Sequence, residues 1–84
     1  MNDHRLLKLI IGKHIAGLRK NQKLSQEDLA GLCQIDRSHV SMVEVGRTEP
    51  SISKLFDLCE GLNIKPSDFI RLVEMEYAEQ NKKD

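Results

Sequence analysis

Aromatic residues are few in this chain. Of 84 residues only Phe56, Phe69 and Tyr77 are aromatic, and there is no tryptophan. Leucine and isoleucine dominate the apolar set, and a core this small is marginal on its own, a shortage that oligomerisation commonly remedies. Long apolar runs are also missing. The longest, Leu9-Ile10-Ile11, falls far short of the roughly 20 residues that a membrane-spanning helix needs. No secretory leader is evident, so the sequence predicts no membrane partner and a cytoplasmic location. Only two cysteines are present, Cys33 and Cys59, and both are expected to be small buried hydrophobes in a reducing compartment. His4, His14 and His39 have no ligand-like spacing to either cysteine, so no metal and no cofactor is expected. With no nucleophile–base pattern and no glycine-rich phosphate loop, nothing suggests an enzyme.

Net charge is absent too, but only in the sum. Residues 1–24 hold six basic groups (Arg5, Lys8, Lys13, Arg19, Lys20, Lys23) against Asp3, a local charge of +5. Residues 25–66 carry −3 and residues 67–84 carry −2. A polyanion responds to the local field at its contact face, not to the total. The neutral sum still predicts weaker non-specific attraction to nucleic acid than a strongly basic chain would show.

What the chain does have is helical periodicity, with no linker or low-complexity stretch, so residues 1–84 are expected to form a single domain. Helix one is predicted over residues 4–21, with Leu7, Ile11, Ile15 and Leu18 as its stripe and Leu6, Leu9 and Ile10 widening it. Helix two spans about 26–33 and helix three about 37–44. Ser25 and Asp28 stand where a capping box needs them. Leu29, Ala30, Leu32 and Cys33 are expected to face inward, Gln34-Ile35 makes the turn, and Asp36 is expected to cap helix three. Val40 and Val43 form the inner face of that helix, leaving Arg37, Ser38, Ser41 and Met42 outward. Ser51 caps a fourth helix carrying Ile52, Leu55, Phe56, Leu58, Cys59 and Leu62. Pro66 and Asp68 suit the first turn of a fifth, about residues 66–79. The fold class is therefore all-α, a five-helix bundle.

Two short helices joined tightly, the second presenting hydrogen-bonding groups at one end, match what the major groove of DNA admits. Residues 25–46 have this form. The chain resembles the phage repressor and Cro type (XRE-like) of helix-turn-helix over roughly residues 11–70. The resemblance is carried by Ile11-Gly12-Lys13 through Leu18-Arg19-Lys20, by Leu24 through Ala30, by Val40-Ser41 with Glu44 and Gly46, and by Pro50-Ser51 with Leu55, Leu58 and Leu62. Within that family, Asp36-Arg37-Ser38-His39-Val40-Ser41 looks most like the controller proteins of restriction–modification systems. The resemblance implies a bundle of the lambda-repressor-like DNA-binding type and a dimeric transcription regulator on double-stranded DNA at a palindromic operator. It implies autoregulation if the controller match holds, and a contact with RNA polymerase if it activates.

Residue by residue, Arg37 has the fork that binds guanine O6 and N7 together, and an arginine at the matching place in controller proteins reads bases. Ser38 can reach a base edge, and Met42 can touch a thymine methyl where relatives carry a polar reader. Gln26 resembles the family glutamine that holds the DNA backbone at a helix N-terminus. Ser25, His39, Ser41, Arg47 and Ser51 are the further candidates for phosphate. Arg19 and Glu44 match a family salt bridge between helices one and three. Phe69, Ile70, Val73 and Tyr77 of helix five, with Leu72, offer more apolar surface than one inward stripe needs and are assigned to a homodimer interface. Three departures stand out: Lys23 and Gln34 occupy turn positions where the family has glycine, and Val45 replaces a polar residue before Gly46. The competing reading is an antitoxin-like protein that neutralises a partner toxin and binds its own promoter.

Overall fold

The computed structural model describes residues 3–82, which form five helices in the order α1 (His4–Asn21), α2 (Gln26–Cys33), α3 (Arg37–Glu44), α4 (Ile52–Gly61) and α5 (Pro66–Asn81). No strand occurs among the described residues. The boundaries of α1, α2 and α3 fall where the periodicity and capping residues put them, and α5 runs one half-turn further.

Local chemistry fixes the helix starts. The Asp3 carboxylate accepts the Leu6 N–H (3.1 Å) at the head of α1, and Ser51 Oγ accepts the Lys54 N–H (3.2 Å) at the head of α4. At α2 the capping box is complete: Ser25 Oγ accepts the Asp28 N–H and Asp28 Oδ2 accepts the Ser25 N–H, both at 2.9 Å. The Ser25 N–H first, then the Ser25 side chain, holds the Asp28 carboxyl below its usual range. Asp36 does not do what its position suggested. It sits extended at the N-cap of α3, but its side chain makes no cap hydrogen bond. Its carbonyl oxygen accepts the N–H groups of His39 and Val40 instead.

Four turns after helices share one design. At Lys23, Gln34, Gly46 and Asn63 the backbone is left-handed, with φ of 60°, 56°, 80° and 58°. In each, the next residue's N–H returns to a carbonyl five residues back: Leu24 to Arg19, Ile35 to Ala30, Arg47 to Met42 and Ile64 to Cys59. This is the Schellman arrangement, which satisfies orphan carbonyls and favours an apolar residue just beyond the turn. Three of the four lack glycine, each at a strain of about 1 kcal/mol. Leu24, Ile35 and Ile64, all at least partly buried, supply the apolar contact.

The core joins Ile10, Ile11 and Ile15 of α1 to Leu29, Ala30 and Cys33 of α2, Val40 and Val43 of α3, Leu55, Leu58 and Cys59 of α4, and Phe69 and Val73 of α5. Burial pushes the Cys59 thiol up to about 11 and raises Cys33 as well, which keeps both protonated at neutral pH. Leu32 departs from expectation, being 59% exposed. Leu29, Ala30 and Cys33 already fill the inner sector of α2, and Leu32 lies about 100° away from its centre at 100° per residue.

Helix α5 brings the larger correction. Phe69 and Val73, assigned above to a dimer interface, are 0% and 4% exposed inside the monomer. With half-buried Tyr77 they form the i, i+4, i+8 stripe that a helix turns toward its own core. The Tyr77 hydroxyl accepts the Asp3 N–H (2.9 Å), tying α5 to the start of α1. Of the four residues assigned to the interface, only Ile70 is well exposed, at 44%.

Candidate nucleic-acid interface

Helix α3 is held from behind. Val40 and Val43 are fully buried, and α1 approaches so closely that a Cβ on Gly12 would collide with the carbonyl oxygens of Val43 and Glu44. Glycine is therefore required there by space, not by dihedral angle. The C-terminal end of α3 is then fixed by charge. Arg19 Nε donates to Glu44 Oε2 (2.7 Å) and Nη2 donates to Glu44 Oε1 (2.9 Å), a bidentate pair, while Nη1 donates to the Leu24 carbonyl (2.8 Å). The two side chains are only 11% and 5% exposed. The Glu44 hydrogen bond raises the Arg19 pKa further and outweighs the opposing effect of burial, so the guanidinium is charged at every accessible pH. The pair ties together the end of α1, the turn into α2 and the last residue of α3.

Gln26 joins this network through a contact that leaves no mark in residue spacing. Its Nε2 donates to Glu44 Oε1 at 2.9 Å. The backbone N–H groups of Gln26 and Glu27 at the α2 terminus have no helical partner, while the Asp28 N–H is engaged by Ser25.

The outward face of α3 carries Arg37 and Ser38 in its first turn, then half-buried Ser41 and exposed Met42, with exposed Val45 just beyond the helix. Among the described residues no acid lies within ion-pair distance of Arg37 or Arg47, so both guanidinium groups are unpaired. Ser25 and Ser51 are exposed, but their oxygens already accept cap hydrogen bonds, which leaves the hydroxyl protons to donate; Ser51 Oγ also lies 3.3 Å from Ser53 Oγ. His39 does not fit the phosphate role expected of it. The residue is half-buried, and its Nε2 is shielded from solvent with no hydrogen-bond partner. At the third position of an eight-residue helix it turns between the outer face and the core, where that nitrogen cannot meet a surface anion.

Elsewhere, α1, α4 and α5 frame an apolar groove of about 430 Å³. Leu7, Ile11, Leu55 and Val73 form its floor, and Ile52, 70% exposed, flanks it with Ile70. Leu72 and Met75 are further exposed apolar residues of α5.

A family model described as helix-turn-helix matches residues 15–69. The immunity repressor protein of Bacillus phage phi105 is 33% identical over 79 residues, covering 90% of this chain and 55% of the repressor. The chain thus spans about half the length of that relative, whereas it spans the whole of the control protein C.MunI from a Mycoplasma species, at 34% identity over 77 residues and 90% of this chain. Among solved structures, the restriction–modification controller protein C.Esp1396I, determined as a tetramer in complex with its natural 35 base-pair operator, superposes with a TM-score of 0.78 at 25% identity, over 86% of this chain and 95% of that one. The clamp on α3, the two-helix unit it supports and these matches agree: the chain belongs to the helix-turn-helix family of transcription regulators.

Proposed function

We propose that the chain is a sequence-specific, dimeric DNA-binding transcription regulator of the restriction–modification controller type. It acts in the cytoplasm as a single helix-turn-helix domain and catalyses no reaction. The observation that carries this reading is the first turn of α3: exposed Arg37 and Ser38, with no acid among the described residues paired to Arg37, stand on a helix whose inner face is fully buried and whose far end is clamped. A rigid helix with an unpaired arginine at its tip suits bidentate reading of guanine in the major groove. Ser38 adds a hydrogen bond to a neighbouring base, and Met42 lies one turn along for a thymine methyl. Gln26, the free amides of α2, Ser25, Ser41, Arg47 and Ser51 hold phosphates on either side and set the register without carrying sequence information.

Dimerisation supplies what a chain of zero net charge lacks. Two linked reading heads raise affinity through effective concentration. A two-fold dimer sets recognition helices roughly 34 Å apart, one helical turn of DNA. The surface that supports it is the flank of the groove, Ile52 and Ile70, with Leu72, because these apolar side chains remain outside the monomer core. The reading is tested by selecting preferred duplexes from a random pool with wild type and Arg37→Ala. Arg37→Ala is expected to lose about 1–3 kcal/mol on the selected site and to relax preference at one position in each half-site. An unchanged preference would remove Arg37 from base reading.

A further inference from the structure

We infer that Glu44, which lies behind the reading face, is a positioning residue for the DNA contact of Gln26, an inference that rests on the reading of Gln26 as a phosphate ligand. Its carboxylate is committed to two jobs. Both oxygens take N–H groups of Arg19, and Oε1 also takes the Gln26 amide at 2.9 Å. A carboxylate paired to arginine is ionised and can only accept hydrogen bonds. That chemistry decides which way the Gln26 amide faces: nitrogen toward Glu44, with the carbonyl oxygen excluded from that position. Nε2 carries two protons, and Glu44 engages one of them.

The consequence is a donor held in advance. Gln26 is the first residue of α2, half-buried, with its own backbone N–H and that of Glu27 unpaired beside it. A glutamine at an exposed helix end has three side-chain torsions to order before it can hold a phosphate. Here the Glu44 bond has ordered them, and the remaining Nε2 proton is a donor at the same helix terminus. Glu44 is itself fixed by Arg19, so the geometry of one backbone contact is set through a buried ion pair that links α1, α2 and α3. A side chain ordered beforehand avoids a cost that corresponds to about three- to tenfold in affinity.

The test is a double-substitution cycle, read as affinity for a mixed-sequence duplex long enough for two half-sites, with each variant first shown to be folded at the working temperature. Gln26→Ala is expected to weaken binding about three- to tenfold. Glu44→Ala should do so to a similar degree. The double variant should bind no worse than Glu44→Ala alone, because without Glu44 no ordered Gln26 donor is left to lose. Multiplicative losses would overturn the positioning role and leave Glu44 as a structural residue only. Unchanged affinity in Gln26→Ala would overturn the phosphate reading itself, and the inference with it. Should Glu44→Ala fail to fold, the wild-type protein still answers through the nitrogen-15 resonances of the Gln26 side chain. One Nε2 proton should be protected from exchange before DNA is added, and the other should shift when the duplex is added. Two freely exchanging protons in the free protein would overturn the assignment.

Discussion

Helix α1 anchors two ion pairs of opposite character. Toward α3, Arg19 and Glu44 are almost fully buried and bidentate, and every donor on the arginine head that faces the protein has a partner. Toward α5, Lys13 Nζ meets Glu76 Oε2 at 2.8 Å, but the lysine side chain is 68% exposed. Glu76 also accepts from Gln80 (2.8 Å) and lies 2.7 Å from His14 Nε2. The sequence separations give no warning of this contrast, since both pairs join residues distant in the chain. Burial makes the difference: a paired charge that has left water leaves its partner stranded when removed, whereas an exposed one returns to solvent. The reading side of the molecule is thus locked, and the α5 side is loosely tied and leaves apolar surface uncovered.

The largest effect expected from this comparison is on the locked side. Glu44→Ala should lower stability by about 3–5 kcal/mol, because it leaves the Arg19 guanidinium buried without a counter-charge. Glu27→Ala, on the exposed face of α2, should stay within about 0.5 kcal/mol. Thermal denaturation at neutral pH measures both, and equal midpoints would erase the distinction between the two sides.

Phe69→Ala tests where the two regions divide within α5. A ring that is 0% exposed and set edge-on to His14 (centroids 6.5 Å apart) belongs to the monomer core. Its loss should cost about 3–5 kcal/mol, independent of protein concentration. A cost that vanished on dilution would return Phe69 to a subunit interface.

The smallest effect should come from the exposed pair. Lys13→Ala is expected to change stability by at most about 1 kcal/mol. The pH dependence sharpens this. Lys13 first, then His14 and Gln80, hold the Glu76 carboxyl below its usual value of 4.5. A carboxyl depressed in the folded state stabilises the fold above that usual value, and the contribution is lost as pH falls through the lowered folded value. Glu76→Gln should therefore flatten part of the acid side of the stability curve and leave its shape near neutrality unchanged. Denaturant titrations across acidic pH would show it, and an unaltered acid limb would contradict the assignment.

How much of this could be read from the sequence follows from what kind of signal each feature leaves. Helices α1 to α4 were legible because apolar spacing and Ser25 and Ser51 mark faces and starts locally. The approach of Arg19 to Glu44 was visible only through the resemblance, since nothing in spacing brings residues 25 apart together. The turns at Lys23 and Gln34 stand out in the sequence because the family has glycine there. The third, at Asn63, was missed, although Ile64 just beyond it carries the same apolar sign as Leu24 and Ile35. Within α5 the surplus of apolar residues was correctly seen, but not which of them the core takes. Phe69, Val73 and Tyr77 share the i, i+4, i+8 stripe, and that regularity marks them as inward and leaves Ile70 and Leu72 outside. The Asp36 cap and the outward His39 failed for a common reason: position in a helix gives a side chain's opportunity, not the direction it takes.

The division of labour between a locked reading side and an uncovered α5 side is tested most directly by sedimentation and duplex titration of wild type beside Ile70→Asp. Ile70 is 44% exposed, so Ile70→Asp should leave the stability of the monomer within about 1 kcal/mol of wild type. Wild type should sediment as a dimer at micromolar concentration and load two protomers on one duplex. Ile70→Asp should sediment as a folded monomer and bind only single half-sites, weakly. Wild type that stays monomeric at that concentration, or an Ile70→Asp variant that still binds as a pair, would contradict the account.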